Sequence, residues 1–215
     1  MTPDYARAAV AAAETLIKHK IKNAPVDPIP VYKNTPGVLL LPFADASQLA
    51  GADRKDLTEA FHDAVTVVYP SDDRIRYLVS FNQRLSVDIV QRTLARELGH
   101  IVLGHDGSRP VSVRMDEAYT FALHFLFPRP LIHAIQQSGF PLSAEALGSM
   151  TGCDARCLQR MKNTPGVYVP PELNRLVRDQ FADYINNFLE YEEYLCQTDC
   201  TVPADIGTYM DGYEE

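Results

Sequence analysis

The chain has 215 residues, of which 46% are hydrophobic and 22% are charged, so it is long enough to form one domain with a substantial core, or one domain with a small appendage. Its formal net charge of −8 argues against broad binding to a nucleic-acid backbone, because such binding normally needs a basic face. No apolar run approaches the length of a membrane span, and the N-terminus lacks the basic and apolar segments of a secretory signal. We therefore expect a cytoplasmic protein without direct contacts to nucleic acid or membrane.

The first third of the sequence predicts one helix followed by a small sheet. Residues 3–20 carry Ala, Val, Leu and Ile at helical spacing, and the proline-containing connection at 25–30 is expected to be non-helical. A short apolar run at 37–43 predicts a strand. Two β-branched and aromatic runs, at 64–69 and 74–81, flank a segment with the Pro, Ser and Asp residues of a hairpin turn. We expect these strands to form a small antiparallel sheet.

The remainder of the sequence predicts helices. From Ser86 the apolar residues recur every three to four positions, which indicates a helix that Ser86 can cap and Gly104 can end. Further helices are predicted at 112–127, 129–137, 143–148, 154–161 and 171–195. The pair at 143–148 and 154–161 could form a helix-turn-helix for DNA, but the acidic composition favours a plain helical pair packed on the core. The acidic tail is expected to be loosely ordered.

Four cysteines occur as two pairs with a spacing of four residues, Cys153 with Cys157 and Cys196 with Cys200. In a cytoplasmic protein we favour reduced thiols that pack as small hydrophobic groups. A structural zinc site or a redox pair remains an alternative, although zinc sites usually have a two-residue gap in at least one pair.

The segment Arg96-Glu-Leu-Gly-His100 is the candidate for chemistry. A helix with the pattern His-Glu-x-x-His offers two imidazoles to one zinc ion and holds the glutamate as general base beside the metal-bound water. Arg96 and His100 share a face of the predicted helix, with Glu97 next to His100. On the following helix Glu117 is an acid among apolar residues and a plausible carboxylate ligand. If the segment is instead an exposed helical turn, it carries no chemistry.

The runs Gln91–His105 and Asp116–Pro128 resemble the ImmA/IrrE family of bacterial metallopeptidase-like proteins, and the order of predicted elements is similar from Asp4 to Leu147. The resemblance implies an α+β, zincin-like fold of the minimal gluzincin type, in which a small antiparallel sheet packs on the metal-site helix and a mainly helical part follows. It implies zinc as the cofactor, His100 and Glu117 as zinc ligands, and Glu97 as the catalytic base.

The same resemblance sets the expected domain organisation. We predict a metallopeptidase-like domain at 1–147, a helical extension packed on it at 148–195, and an acidic tail at 196–215. Members of the family are associated with transcriptional repressors, often on mobile elements, so the implied partner is a repressor-like protein or peptide.

Arg96 departs from the family pattern, because a ligand histidine is expected at this position. A guanidinium is charged at every accessible pH and has no lone pair for a metal. We therefore hypothesise that Arg96 supplies a positive partner to Glu97 and Glu117 in place of the ion.

Four further histidines are expected to be ordinary surface or packed residues. His105 lies about 140° around an ideal helix from His100 and should point away from the site. His124 is about 10 Å along the helix axis from Glu117, too far to share a metal with it. The pattern does not place His62 or His133.

Three functions remain on sequence grounds. Arg96 favours a pseudoenzyme that binds a repressor-like regulator without hydrolysis, with an extended peptide added to the sheet edge. The alternative is an active zinc endopeptidase that cleaves a transcriptional repressor, in which an unforeseen ligand completes the site. A DNA-associated regulator is the weakest of the three, because the chain is acidic.

Overall fold

The structure is a computed structural model that describes residues 2–51, 53–68, 76–140, 142–151, 159 and 167–199, apart from the side chains of residues 144, 145, 149 and 195–199. The described helices are α1 (Tyr5–Lys18), α2 (Ile29–Lys33), α3 (Phe43–Ala50), α4 (Arg54–Phe61), α5 (Val87–Val102), α6 (Val111–Leu126), α7 (Arg129–Gln137), α8 (Ala144–Thr151), α9 (Pro171–Gln180) and α10 (Ala182–Asp199). The strands are β1 (Val38–Pro42), β2 (Ala64–Val68) and β3 (Tyr77–Phe81). The fold is α+β with a small sheet and a mainly helical remainder, as predicted.

The three strands form one sheet in the order β1-β3-β2. β2 and β3 pair antiparallel, with Thr66 opposite Val79, which confirms the predicted hairpin pairing. β1 pairs parallel to β3, so the prediction of a purely antiparallel sheet is wrong and the sheet is mixed. The physical reason is the connection from β1 to β2, which contains α3 and α4 and is long enough for the hairpin to lie alongside β1 in the parallel direction.

Several predicted boundaries change. The connection at 25–30 is not wholly irregular, because α2 begins at Ile29 with Pro30 in its first turn, where the missing N–H of proline costs nothing. The predicted final helix is divided into α9 and α10 at Phe181. The predicted helix at 154–161, the hairpin turn, Cys153, Cys157, Cys200 and the tail from 200 to 215 lie outside the described residues, and so does the side chain of Cys196.

The core positions α5 between the sheet and α6. Leu94, Ala95 and Leu98 are fully buried on α5, and the hydroxyl of the buried Tyr32 donates a hydrogen bond to the carbonyl of Leu94 at 2.6 Å. α5 and α6 pack so closely that a Cβ atom on Gly99 would lie 3.0 Å from the carbonyl oxygen of Ala118. This close approach sets the separation between the two helices that carry the predicted site.

The C-terminal helices share the core of the preceding elements. Val177, Phe181 and Ile185 belong to the same cluster of buried side chains as those of α1, α5 and α6. Nε2 of Gln180 donates to the carbonyl of Leu16 at 2.8 Å and to that of Ile21 at 2.6 Å, which fixes the end of α9 to the end of α1. Within the described ranges, every helix is too short or too polar to cross a bilayer.

Candidate functional site

The side chain of Glu97 lies at the junction of α5 and the sheet. It is buried, with 7% of its surface exposed, and its Oε2 accepts a hydrogen bond from the Thr66 hydroxyl on β2 at 2.6 Å. Strand β2 therefore holds one oxygen of the predicted catalytic base through this hydrogen bond. The sequence motif did not reveal Thr66, because nothing in the spacing within α5 indicates which strand lies beside it.

Arg96 is the cationic partner of Glu97. Its Nη2 and Nε atoms lie 3.0 and 3.3 Å from Oε1 of Glu97. Charge-assisted contacts of this kind are stronger than neutral hydrogen bonds, and both oxygens of Glu97 are thus engaged. The hypothesis that Arg96 supplies a charge in the site agrees with this pair, but the contact extends to Glu97 and not to the second acid, Glu117.

Glu117 is neutralised by a different arginine. Its Oε2 accepts from Nη1 of Arg109 at 2.6 Å and lies 2.9 Å from Nε2 of His105. Its Oε1 accepts from the backbone N–H of Asp4 at 2.8 Å. Burial tends to raise the pKa of the Glu117 carboxyl, but the donors from Asp4, His105 and Arg109 outweigh burial and hold this pKa below its ordinary value. The buried acid is therefore ionised at neutral pH.

His105 lies within the site, so the expectation that it points away is wrong. The expectation assumed a continuing helix, but α5 ends at Val102 and Gly104 adopts a left-handed φ of 63°. The N–H of His105 then donates to the carbonyl of His100 at 2.9 Å, which is the long hydrogen bond of a Schellman motif. This reversal brings Nδ1 of His105 to 2.8 Å from Nδ1 of His100. In the sequence, Gly104 indicates the end of the helix and the reversal of the chain, and this contact could have been predicted from it.

The contacts of Glu117, His105 and His100 fix the proton on each ring. Burial lowers the pKa of His105, and burial together with the charges of His105, Arg96 and Arg114 lowers the pKa of His100 to about 4, so both rings are neutral at pH 7. An ionised carboxylate only accepts hydrogen bonds, so Nε2 of His105 carries the proton and donates to Glu117. Nδ1 of His105 then accepts from Nδ1 of His100, and Nε2 of His100 keeps a lone pair.

A cleft of about 360 Å³ lies between β2 and the face of α5 that carries this network. Its lining includes Thr66, Glu97, His100, His105 and Arg114, together with Ala64, Val65, Val68, Tyr77, Arg96, Ile101, Val111 and Met115. Glu97 and His100 thus face one cavity, beside the edge strand of the sheet.

The donors in the cleft do not fit a zinc ion as they stand. His100 has a ligand-ready lone pair on Nε2, but the neighbouring position holds Arg96, whose cation disfavours a second positive charge. The Glu117 carboxylate hydrogen-bonds to Arg109 and His105. The ring of His105 lies between Glu117 and His100, so these three donors form a chain and do not converge on one point. Among the described residues, no group of three or more His, Cys, Asp or Glu side chains is arranged to hold a metal.

The remaining histidines lie away from this cleft. His124 is buried and lines a different cavity, next to α1 and α9. His133 is exposed in a groove formed with α9. His62 is exposed at the end of α4, where its carbonyl accepts a hydrogen bond from Asn82 at 3.2 Å.

Comparison with known families matches residues 53–148 to Peptidase_M78, the IrrE N-terminal-like domain. The match runs from the start of α4 into α8, so it contains the hairpin, α5 and α6. Searches among curated proteins and among solved structures found no match.

Proposed function

We propose that this chain, whose residues 53–148 match the IrrE N-terminal-like domain, is a non-hydrolytic, metallopeptidase-like protein. In this proposal it binds an extended segment of a repressor-like regulatory protein. The observation that carries the proposal is the Arg96–Glu97 pair, with Nη2 of Arg96 at 3.0 Å from Oε1 of Glu97. A general base must be free to take a proton from water. Here the arginine neutralises that carboxylate, and Thr66 holds its other oxygen.

Binding without turnover is supported by what the cleft retains. The cleft of about 360 Å³ remains open between β2 and α5, although the donor set for the family's metal is dispersed. A neutral His100 whose Nε2 accepts hydrogen bonds can receive a peptide N–H.

The free edge of β2 supports a binding mode in which the partner adds a strand. The N–H of Asn82 donates to the carbonyl of Asp63 at 2.8 Å, and hydrogen-bonded and non-hydrogen-bonded pairs alternate along an antiparallel ladder. Thr66 and Val68 therefore turn their N–H and C=O groups away from β3. Within the described part of the chain, β2 is an edge of the sheet, so these groups are available to an added strand.

The test starts from a displayed library of peptides selected on the purified, unmodified chain. The selected peptides are expected to be extended, and to remain intact after prolonged incubation with the protein and zinc. In Val68→Pro, a backbone donor is removed from the free edge without loss of a hydrogen bond to β3. We expect this variant to bind the selected peptides about 10-fold more weakly or worse. Val68→Ala keeps the N–H group and is the matched control.

Two outcomes would oppose the proposal in different ways. Zinc-dependent cleavage of the selected peptides, abolished by Glu97→Gln, would establish the active endopeptidase instead. Equal affinity of Val68→Pro and Val68→Ala, with both variants folded by circular dichroism, would place the peptide away from the edge of β2.

A further inference from the structure

A second feature of the molecule lies away from the cleft, at the side chain of His124. This residue is 8% exposed. Its Nε2 is buried and has no hydrogen-bond partner within the part of the chain that the structure describes. Buried polar atoms in proteins nearly always have a partner, so this nitrogen points to a group that the described chain does not supply.

His124 lines a cavity of about 90 Å³ between α1, the α6–α7 turn and α9. One water molecule needs roughly 10–15 Å³ of such space, so the cavity has room for a small chemical group. Two alanines of α1, Ala9 and Ala13, form part of its wall, with Val169 and Val177 from the opposite side. The described part of the wall is therefore mostly apolar, and its polar members are His124, Arg129 and Asn174.

The cavity continues into a wider groove between α7 and α9, because Arg129, Pro130 and Asn174 line both. The groove has a volume of about 500 Å³, and sites for small molecules typically have roughly 300–1,000 Å³.

The groove is basic. Its described lining contains Arg129, Arg175 and Arg178 and no acidic side chain, although the chain as a whole carries a net charge of −8. Arg178 also pairs with Asp179 at 3.1 Å, where both side chains are more than half exposed. These arginines favour an anionic ligand, since guanidinium groups bind carboxylate and phosphate groups with paired hydrogen bonds.

We propose that the cavity and the groove together form a binding site for a small organic anion. Its carboxylate or phosphate group contacts Arg129 and Arg175, and its inner end hydrogen-bonds to Nε2 of His124. Among the described residues, none lines both the cleft at Glu97 and this site, so we treat the two sites as separate. The proposal does not depend on whether the chain hydrolyses peptides.

His124 supplies a direct readout of the ligand. Burial lowers the pKa of its ring to about 4, and the charge of Arg129 lowers it further in the same direction. The ring is therefore neutral at pH 7, and its Nε2 can donate or accept a hydrogen bond. An anion beside Arg129 offsets the positive charge and raises the pKa of His124.

The experiment is a nuclear magnetic resonance titration of the histidine ring signals with inorganic phosphate, acetate and succinate, at constant ionic strength set with chloride. At least one of these probes is expected to shift the His124 signals saturably and to leave those of the exposed His62 in place. Phosphate and the two carboxylates distinguish the head group. In Arg175→Gln the dissociation constant is expected to rise about 10-fold, while Arg84→Gln, which removes an exposed arginine outside the groove, leaves it unchanged.

His124→Leu separates a ligand contact from a structural role. This variant removes the unpartnered nitrogen, so we expect an unfolding temperature equal to or above that of the unmodified protein. Titration calorimetry with the probe that binds most tightly is expected to give a dissociation constant about 10-fold higher for His124→Leu than for the unmodified chain. The proposal is overturned if no probe shifts His124 saturably in the folded protein, if Arg84→Gln weakens binding as much as Arg175→Gln, or if His124→Leu binds as tightly as the unmodified chain.

Discussion

Nη1 of Arg109 donates a hydrogen bond to Oε2 of Glu117 at 2.6 Å, and this arginine comes from the loop between α5 and α6. The Glu117 side chain is 1% exposed, and an ionised carboxylate at this depth needs opposite charge and hydrogen-bond donors. The loop therefore does more than join two helices, since it supplies the charge that allows an acid to lie between them.

The first prediction concerns this pair. Arg109→Gln is expected to lower the free energy of unfolding by about 1–3 kcal/mol, because it removes the cation and leaves His105 and the Asp4 N–H as the remaining donors to Glu117. Urea denaturation at pH 7 measures the change. Arg84→Gln removes the same charge from an exposed loop and is expected to change the value by less than about 0.5 kcal/mol. Equal losses in the two variants would mean that net charge, and not the contact with Glu117, is responsible.

The second prediction concerns metal affinity. Arg96→His removes the cation beside Glu97 and places an imidazole four residues before His100, so zinc affinity is expected to rise by at least about 100-fold. The measurement is competition with a chromophoric chelator. An unmodified chain that binds zinc as tightly as Arg96→His would contradict the proposed role of Arg96.

A double variant tests the dispersed donors. Arg109→Gln added to Arg96→His releases Oε2 of Glu117 from its strongest charged partner, and a further increase in zinc affinity of about 10-fold is expected. Arg84→Gln added to Arg96→His is the matched control. No difference between these double variants would indicate that Arg109 does not restrain Glu117.

The third prediction concerns Gly99, where α5 crosses α6. A Cβ atom at this position would lie 3.0 Å from both the Ala118 carbonyl oxygen and Cδ1 of Phe121. Gly99→Ala is therefore expected to separate the helices and to cost about 1–3 kcal/mol, despite the higher helix propensity of alanine. Gly107→Ala is the control, since a Cβ atom there meets no atom of the described residues within 4 Å. Comparable unfolding temperatures for the two variants would show that the helix contact tolerates a methyl group.

The sequence predicted α5 and α6 well, because in both segments apolar residues recur every three to four positions and the segment is bounded by residues that begin or end helices. It also brought Glu97 and His100 onto one helix and Glu117 onto the next. The parallel pairing of β1 was not predictable in this way, because strand direction depends on α3 and α4, whose short patterns were not recognised. His105 and Arg109 were missed for a related reason: both follow the end of α5, where the left-handed residue Gly104 replaces helical geometry with a reversal of the chain.

The sequence predicted the ionic partner of Glu97 but not the partners of Glu117, and the difference has a physical reason. Arg96 and Glu97 are adjacent in sequence, so their contact needs no knowledge of the tertiary structure. The partners of Glu117 come from the loop at Arg109 and from the backbone of Asp4, 113 positions away. Such long-range donors are fixed by how α1 packs on α6, and periodicity within one helix carries no information about them.

The last prediction concerns acid stability and His124. Burial, and then the charge of Arg129, lower the pKa of this ring from 6.5 to about 4 in the folded chain. Above pH 6.5 the ring is neutral in both the folded and the unfolded chain, so the contribution of His124 to the free energy of unfolding is fully present. As the pH falls towards 4, the unfolded chain binds a proton on this ring before the folded chain does, and this contribution is lost. Over this range the loss of unfolding free energy attributable to His124 is at most about 3 kcal/mol.

We expect His124→Leu to lose less stability than the unmodified protein between pH 7.5 and pH 4.5, measured by urea denaturation in buffers without phosphate or carboxylate. His100 is present in both chains and titrates in the same range, so the difference between the two curves isolates His124. Parallel curves would mean that the folded chain accommodates a charged ring at this position.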